Sequence, residues 1–74
     1  MKEGENLNFK ISLAAARVNA ELTQEQAAKR LGVAKQTLNS WENGKSEPTY
    51  SRLKELADLY NIDIDYIRLP IKFN

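Results

Sequence analysis

Neither cysteine nor histidine occurs among the 74 residues. Without cysteine no disulfide can staple a small fold and no thiol can act as a nucleophile. With both missing, zinc-finger ligand sets, histidine-based triads and the usual general base at neutral pH are excluded. No enzymatic site is expected, nor a metal or other cofactor. Long apolar runs are also missing. The longest unbroken one is Leu13 to Ala16, whereas a membrane span needs about 20 residues, and Met1 to Asn8 is too polar for a signal peptide. These absences point to a cytoplasmic chain without a membrane partner. A bulk excess of positive charge is lacking as well. The net charge is +1 and the pI about 8.0, below the domain pI of about 9 that usually announces a nucleic-acid binder.

What is present suits one small folded domain. Hydrophobic residues make up 42% and charged residues 28%, too apolar a balance for a disordered chain. A helical chain of this length has room for about four or five short helices and buries only about 60% of its unfolded surface, so its core must be well matched or supported by a second subunit. Charge is unevenly spread. Residues 1–22 carry three bases and three acids and residues 48–74 four of each, while Gln26 to Trp41 contains no acid and includes Lys29, Arg30 and Lys35. Such a stretch is either a solvated basic face or a landing site for an anionic partner.

Apolar spacing predicts an all-α chain, a compact bundle of five short helices. Met1 to Asn8 reads as a flexible leader, residues 9–68 as the domain, and residues 69–74 as an apolar tail. Phe9, Leu13, Ala16 and Ala20 line one face of a first helix, leaving Ile11 and Val18 off it. With no glycine stop, Asn19 or the Ala20-Glu21 pair must turn the chain at some conformational cost. Thr23 to Gln26 offers a capping box for a second helix carrying Ala27, Ala28 and Leu31, which Gly32 would end in a left-handed conformation. A third helix follows over Lys35 to Asn43 with Leu38 and Trp41 inward, closed by Asn43-Gly44. Pro48 suits the first turn of a fourth helix whose buried stripe is Leu53, Leu56, Ala57 and Tyr60 and whose left-handed cap is Asn61. Ile62 to Ile67 alternates like a strand yet also offers Asp63 as the cap of a fifth short helix that would bury Ile64 and Ile67. Leu69, Ile71 and Phe73 continue the apolar alternation in a tail too short to form a sheet alone.

Two short helices joined at Gly32, Val33 and Ala34 have the spacing of a helix-turn-helix, in which one helix braces another for entry into the DNA major groove. The run Thr23-Gln24-Glu25-Gln26-Ala27-Ala28-Lys29-Arg30-Leu31-Gly32-Val33, then Thr37-Leu38, then Trp41-Glu42-Asn43-Gly44-Lys45, resembles the phage repressor and Cro type helix-turn-helix family of bacterial and phage regulators. The likeness continues through Pro48, Leu53 and Asn61-Ile62 and covers about residues 9–67. Two departures stand out. Ala34 replaces the Ser or Thr that commonly caps the third helix, and Glu21 stands where glycine is frequent, an acid that would repel nearby DNA backbone.

The resemblance implies a sequence-specific regulator of transcription, more often a repressor, with double-stranded DNA as partner. Lys35, Gln36, Asn39 and Ser40 share the face that would enter the groove, where lysine can donate to guanine and glutamine can bond adenine in bidentate fashion. The same four polar residues would equally suit a helix face that simply meets water. Gln24 begins the second helix, where amides and dipole favour a phosphate, and family members use it also to prop the first reading residue, here Lys35. Asn43 and Lys45 match positions that grip the phosphodiester strand, which adds affinity without sequence choice. Arg17 and Glu42 match an ion pair that ties the first helix to the end of the third. Trp41 reads as core filler. One helix reads too few base pairs for a unique site, so a homodimer on a palindromic operator is implied, with Ile64, Ile67, Leu69, Ile71 and Phe73 as candidate contacts. The tail could instead fold back over its own helices. No small-molecule ligand is expected. The rival reading is a protein-interaction module on the same scaffold, an antitoxin-like or phage adaptor subunit, favoured by the low net charge.

Overall fold

The computed structural model describes residues 10–70, so Phe9, Ile71 and Phe73 lie outside the described residues. Strand β1 (Ile11–Ser12) leads into α1 (Leu13–Asn19), followed by α2 (Gln24–Leu31), α3 (Lys35–Asn43) and α4 (Tyr50–Tyr60). A one-turn 3₁₀ helix (Ile64–Tyr66) and strand β2 (Ile67–Arg68) complete the order. The expected five-helix bundle is thus corrected to four α-helices. Of the two readings of Ile62 to Ile67, the helical one survives as a single turn, and extended pairing is confined to Ile67 and Arg68. Asp63 does cap a helical turn, its carboxylate accepting the amide of Asp65 at 2.9 Å. The turn is 3₁₀ and stops after three residues because Ile67 is drawn into parallel pairing with Ile11, and Arg68 with Ser12.

The same pairing moves the start of α1. Helical spacing places its beginning at Phe9, yet Ile11 and Ser12 are extended. The helix starts at Leu13 because the Ser12 hydroxyl accepts the amide of Ala15 at 3.1 Å and caps it. Ile11, which helical spacing leaves off the buried face, packs against the core from β1. Glu21 turns the chain after α1 with φ +63°, a left-handed conformation that costs a residue with a Cβ about 1 kcal/mol or more.

Four further boundaries follow their local signals. Thr23 and Gln26 form the reciprocal capping box, at 3.0 and 2.9 Å. Gly32 and Gly44 end α2 and α3 with φ +74° and +80°, which glycine adopts without steric cost. Asn61 ends α4 at φ +57°. Pro48 stands before the helix rather than in its first turn, since the Thr49 hydroxyl takes the cap by accepting the amide of Arg52 at 3.1 Å.

Leu13, Leu38 and Leu56 are fully enclosed at the centre. Ala16, Ala27, Ala28 and Ala57 are buried around them, small side chains that let helix backbones approach closely. Trp41, Tyr60 and Ile67 fill the periphery of this core. Arg52 adds a polar link between elements: its Nη1 donates to the last carbonyl of α2, Leu31, at 3.0 Å and to Glu55 at 2.8 Å.

Candidate nucleic-acid interface

Helix α3 buries Leu38 and Trp41, and at about 100° per residue Gln36, Asn39 and Ser40 fall on the opposite side, with Lys35 at its edge. Lys35, Gln36 and Asn39 are exposed, and Ser40 is half-buried. The four side chains therefore share one outward surface. Ala34 begins the helix in an extended conformation with no side-chain cap, so its first-turn amides have no hydroxyl to satisfy them. At the other end the Ser40 carbonyl accepts the amide of Lys45 at 3.0 Å. That bond folds the chain after Gly44 so that Asn43 and Lys45 flank the turn, both exposed.

Beneath this surface runs a hydrogen-bonded brace. Arg17 Nε donates to Glu42 Oε2 at 2.8 Å, Arg17 Nη2 to Glu42 Oε1 at 3.3 Å, and Arg17 Nη1 to the carbonyl of Leu22 at 2.9 Å. The side chains of this ion pair are only 14% and 4% exposed. The bond to Glu42 outweighs burial and raises the Arg17 pKa further, so the guanidinium is charged throughout the useful range. Gln24 joins the same carboxylate, its Nε2 donating to Glu42 Oε1 at 2.9 Å and to Asn39 Oδ1 at 3.1 Å.

This corrects one expected contact. Gln24 props Asn39 and not Lys35, because the first turn of α2 lies against the second turn of α3, where Asn39 and Glu42 share a face. Lys35 makes no side-chain hydrogen bond among the described residues. Of the candidate dimer contacts, Ile67 is corrected as well: at 7% exposure it belongs to the chain's own core. Ile64 and Leu69 are half-buried against that core, and Ile71 and Phe73 lie outside the described residues. The brace from Glu42 through Gln24 to Asn39 has no signature in sequence. Arg52 was legible only as the first member of an i,i+3 pair with Glu55.

Tyr60 is buried, and its hydroxyl has no hydrogen-bond partner among the described residues. Burial, with the Glu42 charge adding to it, pushes its pKa up to about 12. Among the described residues no group of His, Cys, Asp and Glu could hold a metal ion, and no helix is long and apolar enough to cross a membrane.

The family profile described as Helix-turn-helix matches residues 13–67, which includes α1 through the 3₁₀ turn and reaches Ile67. The chain belongs to the helix-turn-helix family. Its relatives include the HTH-type transcriptional activator BcrR of Enterococcus faecalis, 34% identical over 80% of this chain and 29% of BcrR. The HTH-type transcriptional regulator ImmR of Bacillus subtilis is 34% identical over 74% of this chain and 43% of ImmR. MJ0272 of Methanocaldococcus jannaschii, named an HTH-type transcriptional regulator, is 39% identical over 62% of this chain and 70% of that protein. The chain spans less than half the length of BcrR and ImmR. No solved structure gives a significant match.

Proposed function

We propose that the chain is a sequence-specific double-stranded DNA-binding regulator of transcription, a cytoplasmic repressor that occupies promoter DNA with α3 in the major groove. One observation carries this reading: Lys35, Gln36 and Asn39 are exposed together, with Ser40 beside them, on the outward surface of α3. In this reading Lys35 donates to guanine and Gln36 pairs with adenine in bidentate fashion, donating to N7 and accepting from N6, each good pair discriminating by about 1 to 3 kcal/mol. Asn43 and Lys45 hold phosphates, as do the backbone amide of Gln24 at the start of α2 and the uncapped amides at the start of α3. The Arg17–Glu42 pair keeps its acid neutralised and fixes the angle between the first helix and the reading helix.

The functional unit in this reading is a two-fold dimer on half-sites about one helical turn apart, since one helix reads too little sequence to find a unique site. Its contacts are assigned to the surface around Ile64 and Leu69 together with Ile71 and Phe73. Sedimentation of the chain on a duplex, compared with a chain ending at Pro70, tests that assignment; equal masses would remove Ile71 and Phe73 from it. Repression is the sign proposed, although BcrR is named an activator, and a reporter placed behind the selected site reads it directly.

The deciding experiment is selection from random duplexes. A short, palindromic motif with affinity falling steeply as salt rises is expected. Recovery of no enriched motif at low salt would hand the scaffold to its rival role, a protein-interaction module, which the net charge of +1 favours.

A further inference from the structure

We propose that Gln24 is a positioning residue for base choice: it locks the Asn39 amide with its NH₂ group outward, so that Asn39 selects guanine over adenine. The proposal rests on the DNA-reading function above and adds the orientation of one reading group.

The argument starts at Arg17. Its guanidinium donates to both side-chain oxygens of Glu42, at 2.8 and 3.3 Å, so both of them act as acceptors. The Gln24 atom 2.9 Å from Glu42 Oε1 must therefore be the donor Nε2. That nitrogen also lies 3.1 Å from the Asn39 side chain. Since Nε2 only donates, the Asn39 atom facing it must be the acceptor Oδ1. The orientation of both amides thus follows from the acceptor role that Arg17 imposes on the Glu42 oxygens and does not depend on telling oxygen from nitrogen by shape.

Oδ1 of Asn39 is turned back toward α2, and Nδ2 is left to the exposed side. An unrestrained asparagine grips adenine with a donor to N7 and an acceptor from N6; two donors instead match the O6 and N7 acceptors of guanine. The buried pair thereby reaches the surface as a preset donor.

The test is selection from random duplexes with the unaltered chain, Asn39→Ala, Asn39→Asp and Gln24→Met. The position read by Asn39 is the one whose preference Asn39→Ala levels. There the unaltered chain is expected to prefer guanine over adenine by roughly tenfold. Asn39→Asp keeps an acceptor toward Gln24 but has no outward donor, so it should abandon guanine and take cytosine. Gln24→Met frees the amide to turn, and adenine should rise to within about threefold of guanine at that position alone. If Gln24→Met does not fold, Gln24→Ala, which also lacks the Nε2 donor, gives the same reading. A motif in which Asn39→Ala levels no position, in which the unaltered chain and Asn39→Asp choose the same base, or in which Gln24→Met weakens all sequences alike would overturn the positioning role while leaving DNA reading intact. Absence of any motif with the unaltered chain would sink both.

Discussion

The α2–α3 side of the molecule and the β1–β2 side are built on opposite plans. The first is a set of short helices, each opened and closed by its own neighbours in sequence, with polar side chains outward and a hydrogen-bonded brace beneath. The second is an apolar clasp in which Ile11 and Ile67, from opposite ends of the described chain, pair and pack on the core. The difference teaches that the exposed polar surface and closure of the fold are carried by separate residues. Each can be disturbed with a separate readout.

The largest effect is expected where the two plans meet. Glu42→Ala strands the nearly buried Arg17 charge and removes an acceptor from Gln24, and should cost about 3 to 5 kcal/mol, read as a lowered urea midpoint. DNA selection with whatever remains folded should show blurred base choice. Ile67→Ala sharpens the contrast from the other side. It opens a cavity beside β1 and should cost about 2 to 4 kcal/mol, yet leave the selected motif unchanged at a temperature where the variant is folded. A changed motif would mean that the clasp reaches the reading face.

Tyr60 lies between these regions and sets a pH dependence. Its raised pKa means that the folded state holds the phenolic proton more tightly than the unfolded chain does. The stabilisation is complete below pH 10 and is lost as pH climbs toward about 12, an effect of about 3 kcal/mol. Urea titrations of the unaltered chain and Tyr60→Phe over that window should converge at low pH and separate at high pH, with Tyr60→Phe the more stable. The smallest effect is expected at the turn. Glu21→Gly relieves the left-handed strain and should add about 1 kcal/mol, measured as a higher melting temperature. Loss of its negative charge should also tighten DNA binding equally for all sequences.

The same contrast explains what was legible before any coordinates. Helices α2 and α3 end where Thr23, Gly32 and Gly44 say they should, because capping and left-handed stops act within four residues of the chain. The start of α1 and the fate of Ile62 to Ile67 were misread or left open, because both depend on a pairing between segments that are distant in sequence. Helical spacing alone could not know that Ile11 had a strand partner. For the candidate interface, the outward set on α3 followed from spacing against Leu38 and Trp41, and the Arg17–Glu42 pair from resemblance. The link from Gln24 to Asn39 was out of reach, since it depends on which turn of α3 faces the first turn of α2.

The clasp has a kinetic corollary. Every helix in this domain can nucleate from nearby residues, but the last lock waits for Ile67 and Arg68 to be made. During synthesis the growing chain must therefore remain an unlatched set of helices until almost all of the domain has emerged. Closing so long a loop is entropically costly and comes late. A ribosome that stalls shortly before Ile67 would hold a chain whose four helices are already spelled out but whose clasp cannot close.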